Sequence, residues 1–323
     1  MTRATILSTL RPRSTGPSGR SFHASWRRSI RSSMRRSEGE GVRIARPRVV
    51  SLHIHPVKGA RGLSVEQFEV TPRGVVGDRT WMVVDADGRF VSQRNAPWIA
   101  RIVPRLLSGG GLELTWDTLD GPSAERSVLV VPPTVVPPPD GHERPLDVFG
   151  RPVSGVDAGD EAAEWLSDVM GRRMRLVSSS SQPGHYVDAA PLLVTTTASL
   201  EALDRGTAGG IPGAHAMERF RPNIVVESDV PWEEDMWTHL ETRGGVRFRV
   251  EGPCLRCSVP GVNPRSGDQT KEPLAALARQ RRVEGGVAFG VYVELDVPLD
   301  RAPFGPEPGP ISPADVRMTV MKG

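Results

Sequence analysis

Pro253-Cys254-Leu255-Arg256-Cys257-Ser258, running on to Asn263-Pro264 and Ser266-Gly267, is the stretch on which the reading of this 323-residue chain turns. It holds the only two cysteines in the sequence. A Cys-x-x-Cys pair has four chemical readings. It is half of a tetrahedral zinc site, which would have to draw its other ligands from scattered histidines because there is no second pair. It is a redox dithiol, although the thioredoxin-like βαβ context is missing. It is two small buried residues. Or one sulfur is a thiolate ligand for a bound cofactor, with Arg256 beside Cys257 favouring the charged form. Residue chemistry alone leaves all four open. Two cysteines this close do not make a secreted disulfide framework, so a reducing compartment is the simpler expectation.

Outward from this motif, short apolar alternations dominate. Val49, Val50, Leu52 and Ile54 predict a strand that His55-Pro56 ends. Trp81 to Val84, the turn Asp85-Ala86-Asp87-Gly88 and Arg89 to Ser92 predict a hairpin. Short strands are expected at 112–116, 127–131 and within 146–157, with a Pro-rich loop from Pro132 to Pro139. Ala162, Trp165, Leu166, Val169 and Met170 share one face of a helix over 160–170, and Gly171 stands at its C-terminal cap. The polar segment 178–185 is the candidate boundary. Beyond it the sequence predicts a strand at 192–196, a helix at 198–204 opened by Thr196 or Thr197, and strands at 223–227 and 247–251. A short helix is expected to begin at Pro273 with Leu274, Leu277 and Ala278 inward, before a last strand at 287–295. Many short strands with few helices give a β-rich α+β class, built as β-barrel domains and not as a doubly wound sheet. No dinucleotide fingerprint, no phosphate-binding P-loop and no solenoid repeat is present.

The formal net charge of +3 points away from nucleic acid. No stretch reaches 18 continuous apolar residues, so no transmembrane helix is expected. Arginine greatly outnumbers lysine, which occurs only as Lys58, Lys271 and Lys322. An arginine cluster is therefore weakly informative here, and a lysine more so. Residues 1–47 differ from the rest. Met1 to Arg36 carry nine arginines and no acidic residue, and Phe22, Trp26, Ile30 and Met34 recur every four positions. This segment reads as a disordered basic tail, as residues ahead of a later start at Met34, or as a mitochondrial presequence. The expected location is cytoplasmic, or mitochondrial if the last reading holds.

Several further short motifs share an order and spacing with the cysteine motif. In the first half they are Ile54-His55-Pro56-Val57-Lys58-Gly59, Gly77-Asp78-Arg79-Thr80-Trp81 and Gln93-Arg94. In the second half they are Tyr186-Val187-Asp188-Ala189-Ala190-Pro191, Arg219-Phe220-Arg221-Pro222-Asn223, Lys271-Glu272-Pro273-Leu274 and Phe289-Gly290. From about Val49 to Val320 the chain resembles MOSC-domain proteins with the associated N-terminal β-barrel domain, such as the mitochondrial amidoxime-reducing component and its bacterial relatives. The resemblance implies an N-terminal β-barrel domain over 48–180 and a MOSC domain over 181–323. It implies molybdenum–molybdopterin as cofactor, with the second cysteine, Cys257, as metal ligand and catalytic residue. A soft thiolate suits a metal already held by dithiolene sulfurs. The pterin's phosphate needs cations and donors. The resemblance puts Lys58, Arg79 and Arg221 in that role, Asn223 as a neutral partner, Gly59, Leu255 and Arg256 at the cofactor, and Thr196, among Thr195 to Thr197, near a helix N-terminus.

Each position has a plainer role open to it. Arg79 fits a strand-edge salt bridge, Arg221 a brace for the Pro222-Asn223 turn, Asp188 a helix or turn cap, and His55 a packed barrel residue. His185, in the boundary segment, is a further residue that can approach the site. The chain departs from the family in three places: Leu255 replaces a common Ser or Thr, Gly59 stands where many relatives carry Ser, and Pro260-Gly261 with Asn263 alters a stretch usually richer in Thr and Asp. These bear on substrate more than on metal.

The resemblance implies a redox enzyme that reduces N-hydroxylated compounds, amidoximes and hydroxylamines, as small-molecule substrates. The alternative is a binding or carrier module for the cofactor or its sulfur, because MOSC domains also occur in cofactor sulfurases. The chain offers no room for a pyridoxal-phosphate desulfurase domain, and its first half matches the reductase group. An iron–sulfur cluster needs about four cysteines, so electrons are expected from a separate flavoprotein reductase, ferredoxin or small haem protein.

Overall fold

The alternation that starts at Val49 forms a strand with Val49, Leu52 and Ile54 buried. The computed structural model describes residues 48–118, 127–133, 143–179, 186–207, 209–210, 213–242 and 245–296, and the backbone of a strand at Met321–Lys322. The basic segment 1–47, residues 134–139 of the Pro-rich run, and residues 180–185 of the boundary with His185 lie outside the described residues.

The first half runs through β1 (Arg48–Ile54), β2 (Val57–Lys58), β3 (Leu63–Val65), β4 (Val70–Thr71), β5 (Gly74–Val75), β6 (Trp81–Asp85), β7 (Ile102–Leu106), β8 (Leu112–Trp116), β9 (Val128–Val131), β10 (Arg144–Val148), β11 (Arg151–Asp157), helix α1 (Asp160–Met170) and β12 (Met174–Ser179). The second half runs through β13 (Leu192–Thr196), α2 (Thr197–Arg205), β14 (Ile224–Glu227), β15 (Trp237–Glu241), β16 (Arg247–Leu255), α3 (Leu274–Gln280), β17 (Arg282–Val283), β18 (Gly286–Leu295) and β19 (Met321–Lys322). The class is β-rich α+β, as the sequence implies.

A large sheet has the order β19-β15-β16-β18-β13-β14-β1-β3, with β17 also on β18. It therefore crosses the sequence boundary. β1 pairs antiparallel with β14, Leu52 opposite Ile224, and the hydrophobic core beneath mixes Leu52 and Ile54 with Val194, Trp237, Phe248 and Val291. Full burial of each such side chain contributes roughly 1.5–3 kcal/mol. The second sheet has the order β10-β11-β12-β6-β2, and a third pairs β7, β8 and β9.

In β6 the run Trp81-Met82-Val83-Val84 is buried on both faces. Trp81 and Val83 enter one core with Leu112, Leu166 and Met174, whereas Met82 and Val84 enter another with Phe90 and Val148. A strand covered on both sides reads as a continuous apolar run. At its end Asp85 Oδ1 accepts from the backbone of Asp87 and Arg89, closing the expected turn. The returning arm does not continue as a strand; Phe90 donates its N–H to Asp147 O at 2.9 Å, and the chain turns away at Ser92.

Helix α1 buries Ala162, Leu166 and Met170, and Gly171 ends it at φ 69°, a left-handed cap that glycine adopts without a Cβ penalty. Trp165 lies at the edge of this face and donates Nε1–H to Ser127 Oγ at 2.6 Å. α2 starts one residue earlier than expected, with Thr196 as N-cap. α3 starts at Leu274, after Pro273, and buries Ala276 and Leu277. β16 runs four residues past the expected end, through register shifts at Val250/Gly252 and Pro253/Leu255. Irregular pairing lets proline sit in a strand, and it carries Cys254 to the sheet's rim.

Candidate functional site

A cavity of about 500 Å³ opens where the two halves meet. Lys58 and Gly59 reach it from the end of β2, Arg79 from the turn before β6, and Ser92 to Arg94 from the segment after the β6 turn. Phe149 and Arg151 come from the β10–β11 turn and Val187 to Ala190 from the segment before β13. Phe220, Arg221 and Asn223 precede β14, Cys254 to Cys257 close β16, and Tyr292 comes from β18. Six cationic side chains, Lys58, Arg79, Arg94, Arg151, Arg221 and Arg256, line it against one carboxylate, Asp188.

The floor is organised by Asp78, which is 1% exposed. Its carboxylate accepts from the backbone N–H of His55 at 2.6 Å, from Asn223 Nδ2 at 3.2 Å and from the Arg79 guanidinium. Burial pushes this carboxyl up, but the Arg79 charge and the His55 hydrogen bond outweigh it, so it stays ionised well below the usual carboxylate range. Asn223 Oδ1 in turn accepts from Leu193 N–H at 3.1 Å and Arg79 Nη1 at 3.4 Å. Arg79 and Arg221 both hold left-handed backbone, at φ 51° and 55°. Such φ values cost of order 1–3 kcal/mol in a non-glycine residue and cluster at functional sites. Of the four such residues described, Arg79, Phe149 and Arg221 all line the cavity.

The cations are under-compensated. Lys58 is 5% exposed and pairs with the exposed Asp188 at 2.5 Å. Burial first, and then repulsion from Arg79 and Arg221, outweighs that partner and pulls the ammonium down to about 8. Arg221 donates to Ala60 O at 2.5 Å, while its Nη2 is shielded from solvent and has no partner among the described residues. Burial, then the charge of Arg79, pushes its guanidinium down to about 9. Because a guanidinium keeps its proton in a protein, the same forces amount to an unmet demand for an anion.

At the other wall the two cysteines differ. Cys254 is buried and Cys257 is exposed. Arg256 donates from Nη1 to Cys254 Sγ at 2.8 Å and from Nη2 to Phe220 O at 2.9 Å. Burial disfavours its charge, but the sulfur of Cys254 and the Tyr292 hydroxyl overcome this and raise it. The guanidinium thus spends its hydrogen bonds on the buried sulfur and on Phe220, while Cys257 also stands close enough to favour its charge. Among the described residues no group of three or more His, Cys, Asp and Glu is arranged to hold a metal ion, so the zinc reading gains no further ligands there.

The cavity brings together Cys257, Lys58, Gly59, Arg79, Arg221, Asn223, Leu255 and Arg256. Thr196 does not belong to it. It is fully buried, caps α2 by accepting from Ser199 N–H at 3.2 Å, and donates to Glu234 Oε2 at 3.0 Å. A hydroxyl at a helix start serves a cap as readily as an anion. Asn223 lines the cavity with its amide spent on Asp78, Leu193, Arg79 and His53. His55 is packed, as expected, and Asp188 is an ion-pair partner rather than a cap. Missed as site residues were Asp78 and Arg94, whose motifs were visible in the sequence, and Phe149, Arg151 and Tyr292. Only Tyr292 carried a compositional signal, as one of two tyrosines in the chain.

Residues 46–173 match the MOSC N-terminal beta barrel domain and residues 181–309 the MOSC domain. It is a MOSC-domain chain. Curated relatives include the molybdenum cofactor sulfurase of Drosophila melanogaster, 29% identical over 86% of this chain and 35% of that one. The protein of the same name from Drosophila mojavensis is 30% identical over 77% of this chain and 32% of that one. That of Danio rerio is 30% identical over 76% and 31%. The MOSC-domain chain thus spans about a third of the length of these relatives. Its sequence boundary between the two domain matches, 174–180, falls next to residues outside the described set, while β1 and β3 of the first match lie in the sheet of the second.

Proposed function

We propose that the cavity binds a molybdenum–pterin cofactor by its phosphate, that Cys257 is the protein ligand to the metal, and that the chain reduces N-hydroxylated compounds. The observation that carries this is the convergence of an exposed cysteine with Lys58, Arg79, Arg221 and Arg256 on one cavity. The residues fit the group. Arg221 Nη2 is buried without a partner among the described residues, which a phosphate oxygen would supply, and Cys257 lines the same cavity. When bound, the group supplies two-electron redox chemistry at a metal. The chain's own residues bind and orient. Lys58, Arg79 and Arg221 neutralise the anion, and Asp78 and Asn223 hold Arg79 in place. The net conversion takes two electrons and two protons: the N–O bond breaks, an N–H bond forms, and the oxygen leaves as water. The two cysteines of the sequence are both at this site, which leaves none in it for an iron–sulfur cluster; the electron source proposed is a separate flavoprotein reductase, ferredoxin or small haem protein.

The names of the relatives favour a second reading, a carrier or sulfur-handling module for the same cofactor. Turnover decides between them. Purified, metal-loaded chain with reduced viologen is expected to convert an amidoxime or a hydroxylamine. Stoichiometric cofactor without turnover would favour the carrier.

A further inference from the structure

The β10–β11 hairpin turns on Phe149-Gly150, with Val148 opposite Arg151. Both turn residues have positive φ, 55° and 84°. That is the two-residue hairpin geometry in which Asn-Gly or Asp-Gly is the favoured pair. Phenylalanine there is a conformational cost, and its side chain is 52% exposed, so burial does not repay it. The ring stands at the cavity mouth. The Arg94 guanidinium lies over it at 4.4 Å, and Phe90 meets it edge-on at 5.4 Å. Lys58 Nζ lies over Phe90 at 5.0 Å. Lys58, Phe90, Phe149 and Arg94 thus stack as a chain along one wall, two aromatic rings flanked by a cation at each end. Arg94 makes no side-chain hydrogen bond or ion pair among the described residues, and Arg151 donates only to the carbonyl of Val187, at 2.9 Å. The rim therefore presents a half-exposed aromatic ring, capped on one face by Arg94 and with Arg151 lining the same cavity, and neither guanidinium pairs with a carboxylate among the described residues.

We propose that Phe149, Arg94 and Arg151 form a second subsite, which selects ligands carrying a planar aromatic group with a negative charge. The ring supplies a stacking face, and the guanidiniums pair a carboxylate in their plane. This deepens the function proposed above by naming the chemistry of its substrate, and rests on it only for where the reacting end lies. With about half of the side chain exposed, the edge contact with Phe90 and the Arg94 stack leave ring surface free for a ligand.

The test is calorimetric titration of the purified full-length chain with benzoate, benzamide and cyclohexanecarboxylate. Benzoate is expected to bind at least tenfold more tightly than the neutral or the non-aromatic probe. Phe149→Asn and Arg94→Gln are each expected to weaken benzoate tenfold or more. Phe149→Asn should do so with an unchanged or higher Tm, since asparagine suits the left-handed turn. Cys257→Ser should lose molybdenum yet keep benzoate affinity, which separates a failure of this subsite from a failure of the metal assignment. Equal affinity for the three probes would overturn the subsite. So would unchanged benzoate binding in Arg94→Gln, or its loss in Cys257→Ser, which would place the probe at the metal end.

Discussion

Arg221 concentrates the physics of the site in one residue: left-handed backbone, a shielded Nη2 without a partner among the described residues, and two like charges nearby. Arg221→Ala and Arg79→Ala are each expected to weaken cofactor retention by roughly 1.5–3 kcal/mol, the range for a hydrogen bond to a charged group, measured as pterin released on dialysis. Unfolding with unaltered retention would assign both to bracing. Lys58 gives a pH signature. Its folded value, about 8, lies below its ordinary 10.5, so between these the unfolded chain holds the extra proton and stability rises with pH. Ligand-free Lys58→Met should thus exceed the wild-type Tm at pH 7, with the advantage vanishing toward pH 10.5, while phosphate binding is lost. A constant difference across that range would contradict it. Lys58 was legible because lysine is rare in this chain. Phe149 was not, because nothing in a Phe-Gly pair announces that its ring faces a cavity. Thr196 was misread because capping and anion binding ask for the same hydroxyl.

Among elements, the junction of β13 and α2 carries a buried acid. Glu234 is fully buried and accepts from Thr196 and Ser199 hydroxyls, the latter at 2.9 Å. Burial, then the neighbouring Asp235 charge, pushes its carboxyl up to about 7. Between the ordinary 4.5 and that value the folded chain keeps a proton that the unfolded chain has released. Stability therefore falls as pH rises through this window. Glu234→Gln is expected to match the wild-type Tm near pH 4.5 and to exceed it above pH 7; a gap independent of pH would exclude the buried acid as its source. Elements with a clear period, α1 and β1, were readable to within a residue or two. β12 was missed because Leu176-Val177 runs straight into serines that look like a linker, although Met174, Leu176 and Val177 are buried and pair with β6. The end of β16 was hidden by Gly252-Pro253, which breaks a strand pattern in sequence but passes as a bulge in the sheet.

For the whole molecule, sequence divides what hydrogen bonds join. The two domain matches follow each other along the chain, yet β1 and β3 complete the sheet that β13 to β18 build. Strand pairing across so long a sequence separation leaves no local pattern, so the shared sheet was invisible until the fold was seen. Residues 186–323 expressed alone are expected to lack a cooperative melt, having lost Leu52 and Ile54 from their core, and co-expression with 46–179 should restore it. Independent cooperative melting of both pieces would contradict the shared sheet. The same joining builds the cavity, with Lys58 and Arg79 from one half facing Cys257 and Arg221 from the other. Whether the cavity holds an anion-anchored molybdenum cofactor on Cys257 is tested most directly by metal and pterin analysis of the purified chain beside Cys257→Ser and Cys254→Ser. Molybdenum and pterin are expected in equal amounts in the wild type, with molybdenum lost from Cys257→Ser and kept in Cys254→Ser. Bound zinc in the wild type, with equal loss from both variants, would contradict it.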